Sequence, residues 1–252
     1  MSFENVAAII PARWASSRFP GKPLALLGGK PVVQRVWERA RTVFERCIVA
    51  TDDERIRAAV EGFGGQAVMT SPDLRSGTDR CREALLKAGL KAEIVVNIQG
   101  DEPFVTEGEL RALVEQFADE GVDIATLCCP FGAEEIGDPS KVKVVMSKRG
   151  RALYFSRSVV PFQRDVERSR WQASHTYYRH LGLYAFRRAA LLKVGELEPS
   201  SLEVAENLEQ LRWLENGMSI GIAVVEEQPG VGIDTPADLE RANRLLGSND
   251  KL

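Results

Sequence analysis

Five apolar runs constrain this chain more than anything else in it. Val6–Ile10, Cys47–Thr51, Gln66–Thr70, Glu93–Gln99 and Asp123–Pro130 recur through the first 130 residues, and an amphipathic stretch separates each from the next. Short strands that alternate with single helices give a largely parallel sheet with helices on both faces, because each helix carries the chain back to the end where the previous strand began. In such sheets ligands bind beyond the carboxyl ends of the strands. Three polar loops leave those ends, at residues 11–22, 70–78 and 99–104.

Local signals fill in the rest. In "KPVVQRVWERARTVFE" Pro31 suits a first helical position, and Val32, Val33, Val36, Trp37, Ala40, Val43 and Phe44 make an apolar stripe. A helix is expected from Asp53 to about Gly62, and another from near Thr78. Thr106 and Glu109 have capping-box spacing ahead of a helix that closes on Gly121. After residue 140 the rhythm changes. "KVKVVMS", "RALYFSR" and "YRHLGLYAF" read as hairpin or edge strands, and the polar stretch "QRDVERSRWQASHTYY" before the last reads as a mobile loop. "SLEVAENLEQLRWLENG" reads as one helix stopped by Gly217, "SIGIAVVE" as a strand, and "TPADLERANRLL" as a helix with Thr235 as cap and Pro236 at its first position. With neither repeat nor linker, the expectation is a single α/β domain over residues 1–252, Rossmann-like, with a β-rich subregion at about 140–190.

Composition narrows the function. The 252 residues hold 33 Lys plus Arg against 36 Asp plus Glu, a net charge of −3, which is not the balance of a nucleic-acid-binding surface. No apolar run approaches the ~20 residues of a membrane helix, and the first residues lack a basic n-region followed by an apolar stretch, so a cytoplasmic protein is expected. Cys47, Cys81, Cys128 and Cys129 have no metal-site spacing, and His175 and His180 are the only histidines. The thiols are expected to be buried and reduced.

Against that slightly acidic background, "IIPARWASSRFPGKPL" concentrates Arg13, Arg18 and Lys22 in one loop. It is neither a Walker-type phosphate loop nor a Gly-x-Gly-x-x-Gly turn. "NIQGDEP" puts Asp101 and Glu102 at a strand end beside Gly100, which permits close backbone approach. Asp101 is either a Mg²⁺ ligand shared with nucleotide phosphates or part of an ordinary polar turn. In "GVGIDTPADL" Asp234 either favours a helix dipole or, because Thr235 already caps the helix, is free to supply a second metal carboxylate. "RSGTDR" either meets a phosphate or base edge with its backbone N–H groups or simply caps a helix through Ser76 or Thr78. "TDDE" (51–54) is either a metal-binding acid pair or the cap of the next helix.

"PARWASSRFPGKPL", "SGTDR", "NIQGDEP", "ALYFSRSVVPF", "RHLGLYAF", "LEVAENLEQLR" and "GVGIDTPADLE" occur in this order. Together they resemble the 3-deoxy-manno-octulosonate cytidylyltransferases, the CMP-Kdo synthetases of Gram-negative bacteria, from residue 6 to about 245. The resemblance implies transfer of CMP from CTP to the anomeric hydroxyl of Kdo (3-deoxy-D-manno-octulosonate), with release of pyrophosphate, on the way to lipopolysaccharide. It implies that Pro11, Ala12, Arg13, Arg18, Lys22, Ser76, Gly77, Thr78 and Arg80 hold the nucleotide and that Asp101 and Asp234 hold Mg²⁺. Gln99, Arg157, His180, Tyr184, Glu209 and Gln210 match the family's sugar-site segments. It also implies a homodimer joined through the β-rich region. Activation of a related acidic sugar (8-amino-Kdo or sialic acid), glycosyl transfer through Asp52 and Asp53, and a non-catalytic CTP-binding role are the competing readings. Two segments depart from the family's usual pattern: "LALLGGKP", where an acid is common, and "GVG", where Gly-Thr-Gly is common.

Overall fold

The structure, a computed structural model, describes residues 3–16, 18–132, 136–226 and 232–249. They gather in two compact units, residues 1–111 with 229–252, and residues 112–228.

The first unit opens with β1 (Val6–Ala12), every residue of which is buried. It extends two residues beyond the expected strand, because Pro11 and Ala12 still pair in register with Ala50 and Thr51. After the basic loop come β2 (Leu26–Leu27) and β3 (Lys30–Pro31), a small hairpin. Its turn is Gly28-Gly29, with φ of 55° and 77°, the positive values a two-residue hairpin turn demands. α1 (Val32–Arg41) follows with Pro31 at its cap, one position earlier than expected, and it ends before Val43 and Phe44. β4 (Arg46–Thr51), α2 (Glu54–Gly62), β5 (Gln66–Met69), α3 (Gly77–Lys87) and β6 (Ile94–Asn97) continue the alternation. Glu109 N–H donates to Thr106 Oγ1 at 3.2 Å and Thr106 N–H to Glu109 Oε2 at 2.7 Å, so the predicted capping box opens α4 (Glu107–Glu115). A 3₁₀ turn over Gln116–Ala118 ends the stretch short of Gly121.

The strand order β6-β1-β4-β5 is parallel throughout. The chain steps outward from β1 to β4 to β5, and α3 then returns it to β6 on the other side of β1. Right-handed crossovers place α1 and α2 on one face and α3 on the other. The direction of winding therefore reverses between β1 and β6, and at such a switch point the loops leaving two adjacent strands diverge and open a crevice.

The second unit is mixed. β7 (Ile124–Pro130) pairs parallel with β11 (Ile220–Val224) and antiparallel with β10 (Tyr178–Arg187), and β8 (Lys143–Met146) pairs antiparallel with β9 (Ala152–Ser156) and β10. β8 and β9 form the hairpin expected after residue 140, but β10 is not the edge or hairpin strand expected, because it pairs with β7 on one side and β8 on the other. The polar stretch before β10 is more ordered than expected. It holds the short helix α5 (Trp171–Ser174) with Trp171 buried, the indole N–H bonded to Val166 O at 2.8 Å, and Gln163 bonded to Trp171 O and Tyr177 Oη. α6 (Arg188–Val194) follows β10. The single helix expected over 201–217 is two, α7 (Ser201–Glu206) and α8 (Glu209–Glu215), parted at Asn207, whose φ of 50° is left-handed. Asn tolerates that conformation better than most residues with a Cβ, so the break is local chemistry inside a charge-rich stretch that otherwise reads as one helix.

α9 (Pro236–Asn249) completes the first unit. Thr235 caps it, with Asp238 N–H donating to Thr235 Oγ1 at 3.2 Å and Asp238 Oδ2 accepting from Thr235 N–H at 2.9 Å. Ile233 is fully buried with Leu27, Val32 and Ala242, and Phe19 and Phe104 pack on the cluster. That apolar anchor carries the residue beside it, Asp234, to the basic loop. Among the described residues no helix is long and apolar enough to cross a membrane. All four cysteines are buried and none forms a disulfide, as expected, and burial pushes the thiols of Cys47 and Cys128 up to about 12.

Candidate active site

The loops after β1, β5 and β6 converge around a cleft of about 200 Å³. The first contributes Pro11, Ala12, Arg13, Arg18 and Lys22, the second Ser76, Gly77 and Arg80, and the third Gln99 and Asp101; Asp234 lines it as well. Every residue here was foreseen from sequence. Ser16, Pro23, Leu74 and Arg75 also line it and were missed, although Leu74 and Arg75 lie in a loop already marked by its place at a strand end. Backbone proximity explains two glycines. A Cβ on Gly100 would lie 2.7 Å from the Pro11 carbonyl oxygen, so the third loop can cross the end of β1 only with glycine there. A Cβ on Gly77 would sit 3.1 Å from Gln99 Oε1.

The charges form one cluster. Lys22 Nζ lies 2.6 Å from Asp101 Oδ2 and 3.5 Å from Asp234 Oδ1, and Arg18 Nη2 lies 3.1 Å from that same Asp234 oxygen. The Lys22 side chain is only 13% exposed, whereas that of Arg18 is 65% exposed. Residues 79 and 212 positions apart from Lys22 thus meet on one ammonium. Asp234 is available because Thr235 and Asp238 have already satisfied the helix start. Ile233 N–H bonded to Asp101 O at 2.9 Å fixes the two acidic segments to each other. Beside them, burial raises the Glu102 carboxyl to about 7, and the charges of Asp101, Glu109 and Asp234 push in the same direction.

The bland readings hold for several motifs. Asp53 caps α2 through Arg55 N–H at 2.9 Å, and its carboxylate grips the Arg55 guanidinium. Ser76 caps α3 through Asp79 N–H at 3.1 Å while still lining the cleft. Thr78 is buried one residue inside the helix and does not reach the lining. The Arg80 guanidinium is held by Asp52 at 2.9 Å, by the Thr70 hydroxyl and by the Ser71 carbonyl.

The second unit holds the remaining residues foreseen from sequence. Arg157 donates to the carbonyls of Glu206 (2.7 Å), Pro139 (3.0 Å) and Asn207 (3.2 Å), while its own N–H donates to the Glu206 carboxylate at 2.9 Å. The guanidinium therefore clamps the α7–α8 break. His180 and Tyr184 do share a face, with ring centroids 5.4 Å apart. A bulge inserts two residues between Leu181 and Tyr184, so His180 and Tyr184 oppose Cys128 and Thr126, next-but-one neighbours on β7. Tyr184 also packs on Trp213 at 5.0 Å, and burial, with the Glu209 charge, raises its phenol above the ordinary value. Gln210 is buried near the start of α8, and Glu209 pairs with Arg212 at 3.1 Å.

His180 titrates far from the ordinary histidine range. Burial lowers it to about 3. Thr126 Oγ1 lies 2.8 Å from Leu183 O and 3.0 Å from His180 Nε2, so the hydroxyl donates to the carbonyl and accepts from a neutral ring protonated at Nε2. The unfolded chain takes a proton below about 6.5 that the folded chain refuses until about 3. Stability from this group is thus present above 6.5 and lost as pH falls through that window. Glu102 acts in the opposite sense between about 4.5 and 7, so the comparison that isolates His180 is between wild type and His180→Gln. We expect the melting temperature of the variant to fall less steeply between pH 6.5 and 4; parallel curves would contradict a neutral, enclosed imidazole.

Crossed by neither a dinucleotide turn nor a Walker loop, a cleft that joins Arg18 and Lys22 to Asp101 and Asp234 at a parallel-sheet switch point is the nucleotidyltransferase arrangement. The cytidylyltransferase family model matches residues 7–220. A 3-deoxy-manno-octulosonate cytidylyltransferase from Phocaeicola vulgatus is 54% identical over 242 residues, 94% of this chain and 96% of its own. Another, from Porphyromonas gingivalis, is 52% identical over 248 residues, 97% of each. Among solved structures, that of CMP:2-keto-3-deoxy-manno-octonic acid synthetase complexed with CTP superposes with a TM-score of 0.89 at 42% identity, covering 97% of this chain and 99% of that one. The chain belongs to the 3-deoxy-manno-octulosonate cytidylyltransferase family.

Proposed function

We propose that this protein transfers CMP from CTP to the anomeric hydroxyl of Kdo, releasing pyrophosphate. The observation that carries the reading is the meeting of Arg18 and Lys22 with Asp101 and Asp234 at the strand ends. Arg13, Arg18 and Lys22 neutralise the triphosphate, and the loop at Ser76 and Gly77 with Gln99 lines the rest of the nucleotide's cleft. The sugar hydroxyl attacks the α-phosphorus in line and pyrophosphate leaves, so the protein's contribution is positioning and charge stabilisation, without an enzyme nucleophile.

Two carboxylates that already share one cation fit a hard divalent ion, since Mg²⁺ characteristically takes one or two carboxylates together with substrate phosphates. Among the described residues no group of three or more His, Cys, Asp or Glu side chains gathers into a cage, so substrate oxygens would complete the ion's shell. Asp101 and Asp234 would hold Mg²⁺, which would supply positive charge to the phosphates. Lys22, within reach of both acids, adds its own charge beside the triphosphate.

For recognition of the acceptor we assign Arg157, His180, Tyr184, Glu209 and Gln210 in the second unit. A guanidinium suits the Kdo carboxylate, which sugar 1-phosphates lack. The buried amide of Gln210 offers a donor and an acceptor to hydroxyls. The family match runs through both units, which supports reading residues 1–252 as one catalytic domain. We further assign the protein to the cytoplasm, where CTP is made, as a homodimer joined through its β-rich region; light scattering that gave a monomer at assay concentration would remove the dimer.

Pyrophosphate release with CTP, Mg²⁺ and Kdo tests the function, with sialic acid and a sugar 1-phosphate as competing acceptors. We expect His180→Ala and Gln210→Ala to raise KM for Kdo by about tenfold while moving KM for CTP little, the cost of a lost polar partner in a specificity pocket. Equal shifts in both constants would take these residues out of acceptor recognition.

A further inference from the structure

Asp52 lies outside the cleft lining, yet its two carboxylate oxygens reach two of the loops that form it. Oδ1 accepts the Trp14 N–H at 3.2 Å, at the start of the basic loop. Oδ2 accepts from Arg80 Nη2 at 2.9 Å, and Arg80 in turn donates to the Thr70 hydroxyl and the Ser71 carbonyl, at the start of the second loop. The pair is buried, with side chains 3% and 10% exposed. We propose that Asp52 is a positioning residue that latches the basic loop to the Ser71–Gly77 loop, so that the triphosphate and nucleoside ends of CTP are held at a fixed separation. The inference rests on reading this cleft as the CTP site.

Four further contacts explain why one carboxylate suffices. The Trp14 carbonyl accepts the Gly21 N–H at 3.1 Å, so the basic loop closes on the residue that Asp52 holds. The Trp14 ring lies against the Arg55 guanidinium, 3.4 Å from its centroid, and Arg55 is itself gripped by Asp53. A Cβ on Gly21 would come within 2.9 Å of the Trp14 ring, so the loop packs on the indole without a gap. Thr70 N–H donates to Thr51 O at 2.8 Å, which ties the second loop to the same strand end from which Asp52 projects. Arg13, Arg18 and Lys22 thus sit on a loop whose origin is fixed by a charge that never meets the substrate. The neighbouring acids of "TDDE" divide the work: Asp53 caps α2, and Asp52 joins the loops.

Asp52→Asn keeps an oxygen for Trp14 but removes the charge that holds Arg80. Two measurements on the full chain decide the matter. Hydrogen exchange without nucleotide is expected to speed up in residues 13–22 and 71–77 together. Steady-state kinetics is expected to show KM for CTP raised about tenfold with KM for Kdo within about twofold, since a small misplacement of binding groups costs up to 10²-fold. A structural tie alone would lower the melting temperature and leave the ratio of the two constants unchanged. Loosened loops with unchanged KM for CTP, or a changed KM with only one loop or neither loosened, would overturn the latch. If wild type fails to turn over Kdo, the exchange result and a calorimetric titration with CTP still decide it; if CTP does not bind wild type either, the cleft reading fails and the latch is overturned with it. Should Asp52→Asn not fold, Asp52→Glu, which keeps the charge and changes only its reach to Trp14 and Arg80, takes its place in both measurements.

Discussion

Asp101→Asn and Asp234→Asn are each expected to slow pyrophosphate release about 10²–10³-fold, the usual loss when a preorganised charge-stabilising group is removed. Each substitution keeps the size of the side chain and one acceptor oxygen while deleting the negative charge that a divalent ion needs. Neither position is central to the fold. Asp101 is held through its main-chain carbonyl by Ile233 N–H, and Asp234 through its own N–H by Asp238 Oδ2 at 3.2 Å, and both bonds survive the change. Circular dichroism should therefore be unaltered, and CTP should still bind, because three cations then face the phosphates with one carboxylate fewer to compete. Near-normal turnover of either variant at saturating Mg²⁺ would remove that residue from the metal site.

Lys22→Ala is expected to cost about 10² in turnover and to weaken CTP binding, more than Arg18→Ala does, because a charge withdrawn from solvent is screened less than an exposed one. Lys22 is largely buried and meets both acids, whereas Arg18 is mostly exposed and meets Asp234 alone. The Lys22 variant also leaves Asp101 and Asp234 facing each other without their shared cation, so its melting temperature should fall without ligand and recover in part with Mg²⁺. Kinetics and calorimetry on the two variants side by side are the check. An Arg18 effect equal to or larger than the Lys22 effect would show that burial does not set the strength of this cradle.

The features legible in the sequence share a short range. Thr106 with Glu109 and Thr235 with Asp238 are capping boxes closed within four residues, so their letters suffice. The identity of Asp234 as a spare carboxylate followed from the same local logic. The alternation of strands and helices gave the parallel sheet, and the sheet gave the end at which to look. What failed did so where a local signal was overruled or was ambiguous. The stretch 201–217 reads as one helix and hides the break at Asn207, which Arg157 clamps from 50 residues away. The bulge in β10 is invisible in "RHLGLY", although it left His180 and Tyr184 neighbours by inserting two residues, which preserves the face they share. The departure at Val231 lies outside the described residues, and that at Leu26 falls on an exposed hairpin position.

By itself, then, the sequence determined the elements, the caps, the strand ends from which the cleft is built and, through its ordered motifs, the family. Tertiary structure alone decided which charges meet. Lys22, Asp101 and Asp234 come from three loops, and Asp52 and Arg80 from two more points of the chain, 28 residues apart. Periodicity and capping act over one turn of helix or one pleat of strand. Ion pairs act over a few ångströms of space, and which segments come that close is fixed by the order in which the strands assemble, with the winding reversing between β1 and β6.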